Sequence, residues 1–452
     1  MRSAPSSDPG PLLGTGLRVP VVGGGMRAYV DLDTAATSPA SVAVARAVAD
    51  FLPWYSSVHR GAGARSQYAS ARYESARDTL LGFVGADPAT HVALFPRNTT
   101  EALNVLAFRL GLTSDDVVLT TAVEHHANLL PWRRHARLRV VEVDAAGTFG
   151  PEDVVAALEQ RPVSRVLTLT GASNVTGWLP DLGRIAAAAR ERGVLVVVDA
   201  AQLAGHRPID MTALGIDVLA LSGHKMGAPY GAGALVGPRD LFSSGEPLLV
   251  GGGAVRAVSF DDVVWADGPD RDEAGSPNVL GVVALAAAAE EFGPAAWPAL
   301  LAHERALTAA LDAELATVPG LRRLGPGSGD RLPVAAFILD GVPHALVAAR
   351  LSHEHAIGVR NGCFCAHPYM SRLLSLTEEQ VRRFHRDAAA GRVDLPGAVR
   401  ASANRGTSPA DVAALGTALR AIAGTPGDGD RYRLDEHGQY VPAAPSLTVV
   451  RS

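Results

Sequence analysis

The chain has 452 residues, of which 47% are hydrophobic and 19% are charged, and its formal net charge at pH 7 is −5. This composition is ordinary for a globular enzyme, and the slightly acidic balance provides no basic surface for nucleic acid or an anionic membrane. No apolar run reaches transmembrane length, and the first residues lack the apolar stretch of a signal peptide. With two cysteines, a disulfide framework is not expected, and a cytoplasmic protein is predicted.

Along the first two thirds of the chain, the pattern predicts a mostly parallel sheet covered by helices. Residues 1–24 are rich in proline, glycine and serine and predict a loosely ordered N-terminal arm. A short strand is expected over 28–33, followed by a helical pattern to residue 52. From about 68 to 318, helical patterns alternate with apolar runs of strand length, as in α/β folds. These runs are 92–96, 117–120, 138–143, 165–170, 194–199 and 217–222.

The rest of the chain predicts a second, smaller unit. Residues 25–318 are expected to form a large cofactor-binding domain, whose N-terminal segment contributes to the small domain. Residues 319–424 predict a small C-terminal α+β domain, with helices at 343–354 and 408–423. The segment 425–452 begins with polar residues and shows no periodicity, which predicts a flexible tail.

Two neighbouring apolar runs end in polar groups that suit one cofactor. The run 194–199 ends at Asp199, and the run 217–222 leads to Lys225. Ligands of open α/β sheets bind at such strand ends. A lysine can bind pyridoxal 5′-phosphate (PLP) covalently, while an aspartate keeps the pyridine nitrogen protonated, so that the ring withdraws electrons. The alternative is a helix-capping aspartate and a surface lysine, but a stray charge after an apolar run is costly.

Further polar residues at strand ends extend this hypothesis. Thr99 and Thr100 lie at a strand-to-helix junction, where a helix N-terminus attracts phosphate, although a plain helix cap explains them equally simply. His125 can stack on a pyridine ring and carry protons. Paired histidines are more often packing or surface residues, and no third ligand at suitable spacing indicates a metal.

Other candidates follow from position. Asn174 and Gln202 could donate to the ring's 3-oxygen, although Asn174 also suits an ordinary turn. Ser222 and His224 flank the lysine and could reach the phosphate. The glycine-rich stretch 227–233 lacks the ending of a P-loop, which disfavours a nucleotide enzyme.

Two arginines are candidates for binding a substrate carboxylate. Arg360 precedes Asn-Gly-Cys-Phe-Cys, and Arg400 lies at the end of an expected strand. A guanidinium group binds a carboxylate through two parallel hydrogen bonds.

With these residues assembled, the chain resembles the class V aminotransferase family of fold-type I PLP enzymes. Within that family it is similar to the SUF-type cysteine desulfurase and selenocysteine lyase branch. The resemblance covers about 28–424 and rests on motifs in a fixed order. They are Val58-His-Arg-Gly, Asn98-Thr-Thr-Glu-Ala-Leu-Asn, Glu124-His-His-Ala-Asn, Asp199-Ala-Ala-Gln, Ser222-Gly-His-Lys, Glu273-Ala-Gly-Ser-Pro-Asn and Arg360-Asn-Gly-Cys-Phe-Cys.

The resemblance implies a large domain with a mostly parallel seven-stranded sheet and a role for each candidate. Lys225 would bind PLP covalently, Asp199 would face the pyridine nitrogen, and His125 would stack on the ring. The phosphate would be bound by Thr100, Ser222 and His224, and the ring oxygen would face Gln202. Asn174 would lie by the substrate carboxylate or the ring oxygen. Arg400 would bind the substrate carboxylate, with His59 at the substrate end. Ser276 would reach the neighbouring subunit's phosphate, which implies a homodimer.

Cys365 falls on the family's nucleophilic cysteine. The implied reaction removes sulfur from L-cysteine, releases L-alanine and leaves a persulfide on Cys365, from which a sulfur-acceptor protein could take it. Nearby Arg360 or a histidine would favour the required thiolate.

Two departures from the branch keep other specificities open. Cys363-Phe-Cys replaces the usual pair of histidines before the cysteine and resembles the molybdenum-cofactor sulfurase branch. A charged insertion from Leu376 predicts an added amphipathic helix over the cysteine loop. Cys363 could relay sulfur or simply pack. The alternatives are therefore a C–S lyase, epimerase or aminotransferase acting on a specialised amino acid, and a non-catalytic PLP-binding or sulfur-relay scaffold.

Overall fold

The computed structural model describes residues 10–392, 396–436 and 438–443. Its helices are α1 (Val42–Phe51), α2 (Ala64–Phe83), α3 (Thr99–Arg109), α4 (Leu130–His135), α5 (Pro151–Leu158), α6 (Leu182–Arg190), α7 (Met211–Leu214), α8 (Val279–Glu291), α9 (Trp297–Ala316), α10 (His344–His355), α11 (His367–Leu373), α12 (Glu378–Ala389) and α13 (Pro409–Gly424).

The strands of the large domain and the segments before it are β1 (Arg18–Pro20), β2 (Met26–Ala28), β3 (Val30–Asp31), β4 (His91–Leu94), β5 (Val117–Thr121), β6 (Arg137–Val141), β7 (Ser164–Thr170), β8 (Leu195–Asp199), β9 (Val218–Ser222), β10 (Gly233–Pro238), β11 (Val255–Val258) and β12 (Val263–Trp265). Those further along are β13 (Leu321–Leu324), β14 (Val334–Leu339), β15 (Ile357–Gly358), β16 (Arg360–Gly362), β17 (Ala398–Ser402), β18 (Tyr432–Leu434) and β19 (Tyr440–Pro442).

The large sheet has seven strands in the described ranges, in the order β4-β10-β9-β8-β7-β5-β6. All six apolar runs form strands of this sheet, which confirms the expected α/β architecture. The seventh strand, β10, is antiparallel to both of its neighbours. The sequence pattern missed it because its run, Gly-Ala-Leu-Val-Gly-Pro, is interrupted by residues that usually mark turns.

A second sheet, in the order β13-β14-β17-β16, forms the small C-terminal unit. Its hydrophobic core includes Leu32 from the N-terminal segment and Leu307, Leu311 and Leu315 from α9. The start of α9 packs instead in the core of the large domain, through Trp297 and Leu300. The helix α9 therefore contributes to both cores.

The two chain ends differ from the sequence expectation where they are described. Leu12 is buried, and β1 pairs with β2, so residues 10–24 are more structured than a loose arm. After Gly424, β18 and β19 form a hairpin, and the Tyr432 hydroxyl donates to Glu354 over 3.0 Å. A buried aromatic ring anchors this segment, which explains why the polar composition was misleading. Residues 1–9, 393–395, 437 and 444–452 lie outside the described ranges.

The predicted amphipathic helix in the insertion is confirmed as α12. Thr377 and Gln380 form a capping box at its N-terminus. Phe384 is its buried residue, and its ring packs edge-on against His367 with the centroids 5.2 Å apart. The helix α12 therefore packs next to His367, which follows the cysteine loop by two residues. None of the helices in the described ranges combines the length and apolar character needed to cross a bilayer.

A buried polar network joins β5 to β7 beneath the strand ends. The Glu124 carboxyl group accepts hydrogen bonds from the Thr121 hydroxyl over 2.6 Å, the Thr170 backbone N–H over 3.0 Å and the Asn128 side-chain amide over 2.6 Å. Asn128 in turn accepts from the Trp132 indole over 3.0 Å. Burial raises the pKa of Glu124 to about 8, against the effect of these hydrogen bonds.

This raised pKa predicts a pH-dependent contribution to stability. Between pH 4.5 and about 8, the unfolded chain releases the Glu124 proton while the folded chain keeps it, so stability falls as pH rises. The Glu124→Gln variant has no such proton to release and should not lose this stability. The difference between its melting temperature and that of the unsubstituted protein should therefore increase as pH rises across that range. The exposed Glu379→Gln variant serves as the control and should show a flat difference. A flat difference for Glu124→Gln would contradict the raised pKa.

Candidate active site

A cavity of about 340 Å³ opens at the C-terminal ends of β7, β8 and β9, the place where α/β sheets bind ligands. Twelve of the residues named from the sequence line it. They are Thr99, Thr100, His125, Asn174, Asp199, Gln202, Ser222, His224, Lys225, Arg360, Cys365 and Arg400.

Lys225, which is half-buried, and Asp199, which is buried, lie at the centre of this cavity. Asp199 ends β8, and β9 leads through a short turn, Gly223–Met226, to the lysine. Burial lowers the pKa of Lys225 to about 8, although the neighbouring Asp199 carboxylate opposes this effect. Burial also raises the pKa of Asp199, which Lys225 and a hydrogen bond from the Ala201 backbone N–H oppose. Lys225 is the sole lysine of the sequence.

One end of the cavity is suited to an anion. Asn98 caps α3, and Thr99 and Thr100 are the first two residues of this eleven-residue helix. The Ser222 hydroxyl accepts a hydrogen bond from the Thr99 backbone N–H over 2.9 Å and lies 2.8 Å from the Thr99 hydroxyl. The positive end of the helix dipole and these hydroxyl groups favour a phosphate here.

The two histidines of the cavity are neutral near pH 7. Burial, with the Lys225 charge next in size, lowers the pKa of His125 and of His224 to about 4. The His125 Nδ1 accepts a hydrogen bond from the Ala127 backbone N–H over 3.0 Å. The ring proton of His125 therefore lies on Nε2.

The amide side chains of Gln202 and Asn174 provide hydrogen-bonding groups for a polar aromatic ring in the cavity. The Gln202 Nε2 donates to the Ala35 carbonyl over 2.6 Å, and the Asn174 Nδ2 donates to the Phe364 carbonyl over 2.8 Å. Each amide nitrogen retains a second N–H for another acceptor. The Gln202 Oε1 is buried without a hydrogen-bond partner among the described residues. Because an unpaired buried oxygen is costly, the cavity suits a ligand with hydrogen-bonding substituents.

The two candidate arginines meet at a carboxylate that sequence reasoning missed, Asp33. Arg360 and Arg400 are opposite each other in the β16–β17 pair. Asp33 follows β3 and forms a bridge to Ser402 of β17, which brings it between them. Arg360 donates to Asp33 through Nε and NH2, and Arg400 donates through NH2. Burial lowers the pKa of Arg400 to about 10, and Asp33 opposes this effect.

Cys365 lies at the mouth of the cavity on a loop with fixed backbone. Phe364 and Cys365 have positive φ angles of 53° and 54°. The Cys365 carbonyl accepts from the His126 backbone N–H over 2.7 Å, and the Phe364 ring lies under the Arg400 guanidinium at 5.1 Å. The Cys365 side chain is exposed, whereas the Cys363 thiol points away and donates to the Pro396 carbonyl over 3.0 Å. Burial raises the pKa of Cys363 to about 11.

Two predicted site residues lie outside this cavity. His59 and Ser276 line a separate cavity formed by residues around 55–61, 252–253 and 275–279. The His59 ring is hydrogen-bonded to Glu74 over 2.8 Å. Glu273, three residues before Ser276, is held by Arg77 over 2.7 Å and by the Tyr73 hydroxyl over 2.8 Å.

Comparison with known proteins agrees with this geometry. The family model for class V aminotransferases matches residues 30–415. A probable cysteine desulfurase 2 from Mycobacterium leprae is 37% identical over 365 residues, which cover 77% of this chain and 85% of the relative.

Solved structures show the same fold. The apo structure of a cysteine desulfurase from Thermococcus onnurineus superposes with a TM-score of 0.78 and 30% identity, covering 88% of this chain and 95% of that one. The cysteine desulfurase CsdA from Escherichia coli gives a TM-score of 0.73 and 33% identity, covering 86% and 94%. The sheet order, the site and these relatives together show that the chain belongs to the class V aminotransferase family, whose fold-type I enzymes use PLP.

Proposed function

We propose that this protein is a PLP-dependent cysteine desulfurase, which removes sulfur from L-cysteine to give L-alanine and a persulfide on Cys365. One observation carries the proposal: an exposed cysteine thiol lines the same cavity as a half-buried lysine and a buried aspartate. A family member that only transfers amino groups has no need of a thiol at that place. Relatives named as cysteine desulfurases support the assignment.

The residues that line the cavity provide a contact for each part of the cofactor. Lys225 would bind PLP covalently, and Asp199 would pair with its pyridine nitrogen. The ring would lie against His125, with Gln202 and Asn174 at the ring oxygen. The phosphate would occupy the α3 end, beside Thr99, Thr100, Ser222 and His224. When bound, PLP withdraws electrons from the substrate's α-carbon and so weakens the bonds to it.

The protein's own groups then position the substrate and move protons. Arg400 binds the α-carboxylate, with Arg360 beside it at the mouth of the cavity. The Lys225 amine takes the proton from the α-carbon, and burial, which lowers its pKa to about 8, increases the fraction of free amine near neutral pH. Neutral His125 can donate a hydrogen bond through its Nε2–H without adding a positive charge beside Lys225.

Sulfur transfer is assigned to Cys365. Its thiolate attacks the substrate sulfur, so that an S–S bond forms while the C–S bond breaks. The electron pair of the broken bond stays with the carbon, which takes up a proton, and L-alanine leaves. The persulfide remains at the mouth of the cavity, where a sulfur-acceptor protein could reach it. L-Selenocysteine, the second donor implied by the resemblance, would bind through the same contacts.

We further propose a homodimer with shared active sites. Ser276 lies outside the Lys225 cavity of its own subunit, so a contact with phosphate would have to be made in a partner. The hairpin β11–β12 exposes Val258, Val264 and the whole of Phe260 in the isolated chain. Exposed apolar patches of this kind mark interaction surfaces. A cytoplasmic location stays a prediction.

Lys225→Ala should abolish the visible absorbance of the covalently bound cofactor. Because Lys225 is the sole lysine, borohydride reduction of the unsubstituted protein should leave the cofactor on one tryptic peptide, identified by mass spectrometry. Lys225→Arg, which keeps the charge but cannot form the covalent bond, should lose the band as well. An unchanged spectrum in either variant would refute the assignment.

Cys365→Ser should stop sulfide release from L-cysteine while the cofactor stays bound, because the hydroxyl does not accept sulfur. Cys363→Ser is the matched control, since the chain has two cysteines and the Cys363 thiol points away from the cavity. This control should keep at least about half of the activity. Full turnover by Cys365→Ser would favour the alternative, a class V enzyme of other specificity in which the cysteine is incidental.

Ser276→Ala should weaken PLP binding by about ten- to a hundredfold, because one hydrogen bond to a charged group contributes roughly 1.5–3 kcal/mol. Light scattering of the unsubstituted protein should give twice the chain mass of 46.8 kDa. Two results together would contradict shared active sites. The unsubstituted protein would be a monomer, and the Ser276→Ala variant would bind PLP with unaltered affinity.

A further inference from the structure

The strongest unexplained feature of the cavity is the cluster formed by Asp33, Arg360 and Arg400. Two guanidinium groups and one carboxylate leave one net positive charge where the substrate carboxylate is expected. Asp33 was assigned no role from the sequence, and it binds both arginines. The relative strength of its contacts with the two arginines determines what the cluster can bind.

Asp33 binds the two arginines unequally. Its Oδ2 accepts from Arg360 NH2 over 2.7 Å and its Oδ1 accepts from Arg360 Nε over 3.3 Å, a bidentate arrangement. Its contact with Arg400 is a single hydrogen bond of 3.3 Å to NH2. Bidentate, charge-assisted pairs are the stronger kind. Asp33 can therefore release Arg400 to a ligand while it keeps Arg360.

The burial and the hydrogen-bond donors of the Arg400 guanidinium group suit it to bind that ligand. Its side chain is 3% exposed, and its Nε is buried without a hydrogen-bond partner in the part of the chain that the structure describes. Its NH1 donates to the Asn174 carbonyl over 2.9 Å, which fixes the plane of the group. A carboxylate that took Nε and NH2 would complete the donor set of a buried cation.

Arg360 differs from Arg400 in its exposure and in the occupancy of its hydrogen-bond donors. Its side chain is 50% exposed, and its Nε and NH2 are both bound by Asp33. Without Asp33, it would offer a second fork of donors next to the first, in a site large enough for an amino acid. Two free guanidinium groups would favour a ligand with two carboxylates.

We infer that Asp33 is a specificity-determining residue, which keeps Arg360 from binding substrate so that the site accepts amino acids with one carboxylate and disfavours those with two. The inference rests on the proposed function for the identity of the substrate site, and it extends that function by naming the substrate class excluded. Asp33 acts by occupying a cation and touches no reacting atom.

The test is the affinity of the PLP-loaded protein for L-alanine and L-aspartate, measured by calorimetry. Asp33→Asn is nearly isosteric and frees Arg360, so it should improve L-aspartate binding relative to L-alanine by about tenfold, as expected for one new charge-assisted pair. Arg360→Gln alone should not improve that ratio. The double variant Asp33→Asn/Arg360→Gln should return the ratio to that of the unsubstituted protein, because the freed cation is then absent.

Two results would overturn the inference. If Asp33→Asn weakened both ligands equally, Asp33 would merely position Arg400. If the gain for L-aspartate persisted in the double variant, Arg360 would not be its source. The measurement uses no L-cysteine and detects no sulfur, so a protein that fails as a desulfurase can still pass it, and a desulfurase can still fail it.

Discussion

The active-site arrangement depends on two oppositely charged groups, the Lys225 amine and the Asp199 carboxylate, which lie near the ends of two adjacent parallel strands and influence each other electrostatically. Taking both groups out of water costs roughly several kcal/mol per ion, and their mutual attraction offsets part of that cost. The pKa values of both groups are shifted by burial, Lys225 downward and Asp199 upward. Because burial disfavours both charges, the site is suited to a ligand that is cationic at one atom and reacts with an amine.

The same constraint explains the surroundings of the pair. Burial, with the Lys225 charge next in size, keeps His125 and His224 neutral, and the Arg400 guanidinium has the Asp33 carboxylate beside it. The cysteine loop is fixed by hydrogen bonds from His126 and Asn174, so the Cys365 thiol is presented to this charged centre from a rigid support. Rigid presentation implies that an acceptor has to come to the cysteine.

Much of this site could be predicted from the sequence, since strand ends converge at one edge of a parallel sheet. The apolar runs before Asp199 and Lys225 were long enough to be recognised, and their polar ends form the cavity. Strand β10 was missed because glycines interrupt it. Asp33 was missed because its partner Arg360 is 327 positions away and no local pattern joins them. The hairpin after Gly424 was missed because its anchor, Tyr432, is a single aromatic residue in a polar segment.

The central claim is that Cys365 accepts the sulfur of L-cysteine. The most direct measurement is a single turnover of PLP-loaded protein with L-cysteine in the absence of reductant, followed by mass spectrometry of the peptide that carries Cys363 and Cys365. One added sulfur atom on Cys365 and an equal amount of L-alanine are expected. L-Cysteine that is bound or consumed with no sulfur on Cys365 would contradict the claim.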